Sequence, residues 1–73
     1  MTNEELIAYF KDRELPQILR INRAITQHEV AEAVQRNIEL LQHNPNDSRA
    51  KHRLMQIMDA LENPYDGPGI PSL

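Results

Sequence analysis

The sequence predicts an all-α fold, a small domain of three helices, and two features of the chain support this. Thr2 with Glu5, and Thr26 with Glu29, match the capping-box pattern, in which a threonine and a glutamate three positions later bond each other's backbone at a helix start. Aliphatic residues also recur at helical spacing along the second half of the chain. With 73 residues, the chain is long enough for one domain only.

The first predicted helix follows the first capping box. Leu6 and Phe10 fall on one side of it, as expected for a helix that packs against a core. Pro16 lacks a backbone donor and disfavours helical angles in the residue before it. We therefore expect this helix to end near Arg13 or Glu14.

Residues 15–25 form a connection that allows two interpretations. Leu19 and Ile21 alternate with Arg20 and Asn22, which is typical of a short strand or of a hairpin turning at Asn22 and Arg23. The same pattern also suits an extended stretch whose apolar side chains fill the gap between helices. Because an isolated hairpin is barely stable in water, the extended interpretation is favoured.

The second and third helices are predicted to form an antiparallel hairpin, with the first helix packed across it. The turn between them contains Asn44 as a cap, Pro45 at the first helical position and Asp47 beside the helix N-terminus. Each helix carries one aliphatic stripe, and a short turn brings the two stripes together. The stripes consist of Val30, Val34, Ile38 and Leu41, and of Ala50, Leu54, Ile57, Met58 and Leu61.

The predicted domain spans residues 1–63, and residues 64–73 form a separate tail. This tail holds three of the five prolines and both glycines, so neither a helix nor a paired strand is expected in it. The pair Asn63-Pro64 marks the boundary, because proline ends the preceding helix.

Composition limits the classes of partner and compartment. Eight Lys and Arg residues against eleven Asp and Glu residues give a net charge of −3, which makes nucleic-acid binding unlikely on charge grounds. The absence of cysteine excludes disulfides and thiolate zinc sites. No apolar run approaches the length of a membrane span and no signal peptide is evident, so we expect a cytoplasmic protein without a membrane partner.

No group of residues predicts catalysis, and we expect no enzyme, no cofactor and no small-molecule substrate. The serines, Ser48 and Ser72, lie at a helix start and in the tail, away from any arrangement that would activate them. A metal site needs three or four convergent ligands, whereas His28 and His43 lie about four helical turns apart. No metal site is therefore expected.

A protein-interaction or assembly domain is the function that the sequence favours. Leu40 and Met55 fall outside the stripes of their helices, and Ile7 lies at the edge of its own. An apolar flank formed by these three residues would be buried most simply in a symmetric dimer. We therefore expect a homodimer, and in addition a protein partner that the sequence does not identify.

The alternative function is that of a regulatory protein associated with nucleic acid. Arg49, His52 and Arg53 share one face of the third helix, and Arg20 and Arg23 are further candidates for contacts to phosphates. A solvated helix face explains the same pattern. The two functions differ in salt dependence, because only binding to phosphates falls steeply as salt is raised.

Several segments carry a resemblance to a known group of proteins. They comprise residues 5–10, which lead to Glu14-Leu15-Pro16, the stretch Leu19-Arg20-Ile21-Asn22, and the spaced apolar residues between Val30 and Leu61. The chain resembles a small family of uncharacterised bacterial proteins found mainly in Bacteroidetes. That family has no assigned activity, so the resemblance implies no functional residue.

Overall fold

The computed structural model describes residues 1–21 and 23–63, and the predicted tail lies outside the described residues. Three helices and two short strands follow one another as α1 (Asn3–Phe10), β1 (Ile18–Arg20), β2 (Ala24–Thr26), α2 (Gln27–His43) and α3 (Ser48–Glu62). The three predicted helices are confirmed. The fold is mostly helical rather than purely so, because β1 and β2 form a two-stranded sheet.

α1 begins as predicted and ends early. The Glu5 N–H donates to the Thr2 hydroxyl oxygen over 3.1 Å, and the Thr2 N–H donates to the Glu5 carboxylate over 2.8 Å. The helix ends at Phe10 rather than near Arg13 or Glu14. The cause lies at Asp12, whose φ of 62° is left-handed, a conformation that aspartate tolerates better than most residues.

The connection forms a β-hairpin, so the favoured extended interpretation was wrong. β1 and β2 pair antiparallel with Leu19 opposite Ile25, and the Gln27 N–H donates to the Gln17 carbonyl over 2.8 Å just beyond the strands. A hairpin of this length is barely stable only when it is isolated. Here Leu19 is buried in the helical core, and packing against helices stabilises a ladder too short to persist alone.

α2 and α3 pack against each other, and the turn between them differs in detail from the prediction. Asn44 ends α2 as its C-cap, and Asp47 instead starts α3 by accepting the Ala50 N–H over 3.0 Å. Pro45 therefore lies in the turn and not at the first helical position. The Asp47 N–H donates to the Asn44 carbonyl over 2.9 Å, which closes the turn.

α1 lies alongside this helix pair and runs in the direction of α3. The Asn3 side-chain amide donates to the carbonyl of Pro45 in the α2–α3 turn over 2.8 Å. At the other end of α1, the Tyr9 hydroxyl donates to the carboxylate of Glu62 in the last turn of α3. Beneath these contacts lies an apolar core of Leu6, Phe10, Leu19, Val30, Val34, Leu41, Ala50, Leu54 and Ile57.

Candidate interaction surfaces

The two carboxylates with lowered pKa values cap the N-termini of α1 and α2. The pKa of Glu5 lies below its ordinary value mainly because the Thr2 N–H donates to its carboxylate. The pKa of Glu29 is lowered mainly by the same bond from the Thr26 N–H, with a further contribution from the charge of Arg23. Both glutamates therefore have a structural explanation as capping residues.

The histidines do not converge on a common point in the described part of the chain. His28 lies 3.4 Å from Glu32 one turn further along α2, and both side chains are mostly exposed. Within residues 1–21 and 23–63, no three His, Asp or Glu side chains are grouped closely enough to hold a metal ion. None of the described helices is long and apolar enough to cross a membrane.

Leu40 and Met55 are exposed, at 45% and 40%, but they lie on opposite faces of the α2–α3 pair. Leu40 is within 60° of Asn37 around α2, and Asn37 lines a cleft beneath the β-hairpin. Met55 is 160° from Arg53, which lines that same cleft, and within 20° of Glu62, which contacts α1. The two side chains therefore do not form one apolar patch.

Ile7 also contributes less to a surface than the sequence suggests. It is half-buried and packs against the core that Leu6 and Phe10 help to form. Part of the Ile7 side chain is therefore unavailable to the predicted flank.

The predicted basic face is solvent-exposed, and the β-hairpin adds a residue to it. Arg49, His52 and Arg53 are all exposed on α3. Arg53 shares a cleft of about 240 Å³ with Arg23 of the hairpin, over an apolar floor that includes Ile57. Arg20, the other hairpin candidate, lines a different groove.

The outer edge of β1 is the surface that the sequence did not predict. In an antiparallel pair, residues whose backbone groups face the partner strand alternate with residues whose groups face away. Gln17 and Ile21 both bond toward the β2 side, to Gln27 and Arg23. The N–H and C=O groups of Ile18 and Arg20 therefore face outward, and no described residue bonds to them.

The outer edge of β2 differs, because two of its outward-facing polar groups have partners within the hairpin and the start of α2. The Thr26 N–H donates to Glu29 over 2.9 Å as part of the capping box. The Ala24 carbonyl accepts from the Arg23 guanidinium over 3.4 Å. The edge of β2 is thus partly occupied by local contacts, whereas the edge of β1 presents unpaired backbone groups.

A groove of about 850 Å³ runs beside the open edge. It is lined by residues 13–20, by Gln27 and, at the end of α3, by Ala60 and Leu61. Ile18 in this groove is 53% exposed, although isoleucine is among the residue types most often buried. An exposed apolar side chain beside an unpaired strand edge suits the binding of an extended polypeptide.

Comparison with known proteins places this fold in a family. The model of a family described as a domain of unknown function, DUF6965, matches residues 1–63. The chain belongs to this family. No match was found among curated proteins or solved structures.

The DUF6965 match agrees with the resemblance to an uncharacterised small domain, and it carries no information on an origin in Bacteroidetes. It spans α1, the hairpin, α2 and α3 together. The open edge of β1 therefore lies within the part of the chain that defines the DUF6965 domain. Only the alternation around Leu19 and Ile21 could have indicated this edge from the sequence.

Proposed function

We propose that this DUF6965 domain is a protein-interaction or assembly domain that acts by binding polypeptide and not by catalysis. The observation that carries the proposal is the juxtaposition of the exposed Ile18 side chain with the unpaired backbone groups of Ile18 and Arg20. Main-chain groups supply directional bonds to an added strand, and the neighbouring apolar side chain supplies burial.

Ile18→Lys tests this proposal in the full chain. Lysine on a strand edge opposes strand addition, and Ile18 lies outside the core, so the variant should fold normally. Leu40→Lys is the matched control, because Leu40 is similarly exposed but lies on α2, away from the β1 edge.

The experiment is affinity capture from an extract of the native host, with each variant as bait and with copies of the domain counted among the captured proteins. We expect specific binding to wild type and to Leu40→Lys, and its loss with Ile18→Lys. Equal capture by all three baits would contradict the role of the β1 edge, and no capture by wild type would contradict the interaction function.

Nucleic-acid binding is a second candidate, supported by the cleft that Arg23 and Arg53 share. The hairpin brings a third arginine to the face that already carries Arg49, and each guanidinium can contact a phosphate. The net charge of −3 weighs against this function, because phosphate neutralisation supplies much of the affinity of such proteins. Binding of a short duplex at low salt by wild type, and its loss in Arg49→Glu with Arg53→Glu, would favour this second candidate.

A further inference from the structure

We propose that β1 pairs antiparallel with β1 of a second copy of the chain, forming a four-stranded sheet across a two-fold axis at Leu19. This inference rests on the proposed interaction function and names its partner. The outward-facing residues, Ile18 and Arg20, flank Leu19 symmetrically along the strand. Their backbone groups are therefore self-complementary under a two-fold rotation.

In this arrangement, Ile18 of each copy lies opposite Arg20 of the other. An outward-facing pair in an antiparallel ladder exchanges two hydrogen bonds, so the two pairs make four. All the outward N–H and C=O groups of both β1 strands are then satisfied. The two Leu19 side chains become neighbours on the axis, on the face of the sheet that packs against the helices.

The charges of the groove favour this register. Glu14 and Arg20 both line the groove, and neither makes an ion pair with another described residue. Two-fold pairing brings Arg20 of the second copy beside Ile18. Ile18 is the first residue of β1, and Glu14 lies four positions before it in the chain. A register shifted by two residues would instead place Arg20 directly opposite Arg20, and like charges in that position are destabilising.

The structure also explains why pairing would stop at two copies. The outer edge of β2 is partly occupied, by the Thr26–Glu29 capping box and by the contact from Arg23 to the Ala24 carbonyl. The β1 edge is therefore the more open of the two in each copy, and two β1 edges facing each other close the assembly. A contact of three residues per strand buries less area than a standard interface, so we expect a weak dimer.

Sedimentation equilibrium of the full chain at concentrations from about 10 μM to about 2 mM covers the range expected for such a small interface. The decisive variant carries an N-methyl group on the backbone nitrogen of Arg20, introduced by chemical synthesis, which removes an outward donor and blocks the edge. The control carries the same group on Ala24, whose N–H faces outward from β2. We expect concentration-dependent dimerisation of wild type and control, and at least about tenfold weaker dimerisation with the methyl group on Arg20.

Disulfide trapping tests the register in the same cysteine-free chain. Ile18→Cys mixed with Arg20→Cys should cross-link faster than either variant alone, because opposite residues in a ladder lie within disulfide range. Faster cross-linking of Ile18→Cys with itself would overturn the proposed register.

Three outcomes overturn the self-pairing. The first is a wild-type protein that is monomeric at every concentration. The second is equal dimerisation of both N-methylated proteins. The third is a monomer whose thermal stability falls with the methyl group on Arg20 but not on Ala24, since the β1 edge would then be paired within the chain. If Ile18-dependent capture of another protein persists in any of these cases, the proposed interaction function survives and only the identity of the partner is wrong.

Discussion

The Tyr9 hydroxyl donates a hydrogen bond to the Glu62 carboxylate, which ties the last turn of α1 to the end of α3. Arg13 completes the contact, with its guanidinium 3.9 Å from the centre of the Tyr9 ring and 3.6 Å from Glu62. The left-handed Asp12 turns the chain back so that Arg13 also donates to the Tyr9 carbonyl at the end of the helix. An eight-residue helix, too short to be stable alone, is thereby held at its C-terminal end.

Tyr9→Phe should lower the free energy of unfolding by about 1 kcal/mol, the typical net contribution of one hydrogen bond. The ring remains to pack against Phe10 and Arg13, so the loss isolates the hydroxyl. Urea unfolding followed by circular dichroism measures the change. Glu62→Gln is the companion variant: it keeps an acceptor for Tyr9, and a loss as large as that of Tyr9→Phe would show that the charge on Glu62 matters more than the hydrogen bond.

The same contact predicts a pH dependence at the alkaline end. Burial, followed by the hydrogen bond to Glu62, raises the pKa of Tyr9 above its ordinary value. A raised pKa in the folded state means that this stabilisation is complete below the unfolded-state value of about 10 and is lost as pH rises through the folded-state value. Wild type should therefore lose more stability than Tyr9→Phe in that range, and parallel thermal-denaturation curves for the two proteins would contradict the assignment.

The two capping boxes predict a loss of stability in acid. The backbone bonds from Thr2 and Thr26 lower the pKa values of Glu5 and Glu29 in the folded state. Their stabilising effect is present above the unfolded-state value of about 4.3 and is lost as pH falls through the lower folded-state values. Thermal denaturation between about pH 6 and pH 3 should show a smaller acid loss for Glu5→Gln with Glu29→Gln than for wild type. Glu4→Gln with Glu39→Gln, outside the boxes and outside the ion pairs of the described residues, should behave like wild type.

The predictability of each element follows from how local its cause is. Both capping boxes and the limits of α2 were predictable from the sequence, because the bonds that define them join residues three or four positions apart. The early end of α1 was not, because it depends on the conformation of Asp12 and on a contact to Glu62, 53 residues beyond Tyr9. The hairpin was misjudged for the same reason: Leu19 makes it stable only through contact with helices that lie later in the chain.

For the surfaces too, the sequence predicts features with a local cause and not those that depend on long-range contacts. Helical spacing correctly predicted that Leu40 and Met55 are exposed, because exposure depends on position around one helix. Whether two exposed residues on different helices are neighbours depends on which face α1 and the hairpin each occupy. The open edge of β1 depended on the hairpin itself, so it became visible only with the tertiary structure.

Val34→Asp or Leu54→Asp should unfold the domain. Leu54 is fully buried and Val34 is 8% exposed, and both belong to the apolar core. An unpaired carboxylate in an apolar core costs more than about 4 kcal/mol, which is a large fraction of the stability of a small domain. Far-ultraviolet circular dichroism measures the loss of helix. The exposed neighbour Gln35 supplies the control Gln35→Asp, and native helicity in the core variants would refute the packing of α2 against α3.

Arg49→Glu combined with Arg53→Glu should leave the fold nearly intact. Both side chains are exposed, and such changes alter the free energy of unfolding by about half a kcal/mol each. Thermal denaturation checks the stability, and titration with a short duplex or RNA at low salt checks the alternative function. Lys11→Glu with Arg36→Glu is a control that changes the net charge equally at other exposed positions. Binding that the control retains and the α3 variant loses would favour nucleic acid, whereas unfolding of the α3 variant would show that these arginines are structural.

The positions of Ile18, Leu40 and Met55 predict which substitution affects self-association. Leu40 and Met55 lie on opposite faces of the helix pair and share no apolar patch. Replacing either one by lysine therefore changes only one isolated exposed side chain. Ile18 lies on the open strand edge, where a lysine opposes pairing through both charge and desolvation. Sedimentation at concentrations up to about 2 mM, the range for a small interface, should therefore show a shift toward monomer for Ile18→Lys and wild-type behaviour for Leu40→Lys and Met55→Lys. Circular dichroism of all three variants controls for folding. The reverse pattern, with monomers from Leu40→Lys or Met55→Lys and a dimer from Ile18→Lys, would instead support the apolar flank that the sequence predicted, and would place the contact between copies on the helices.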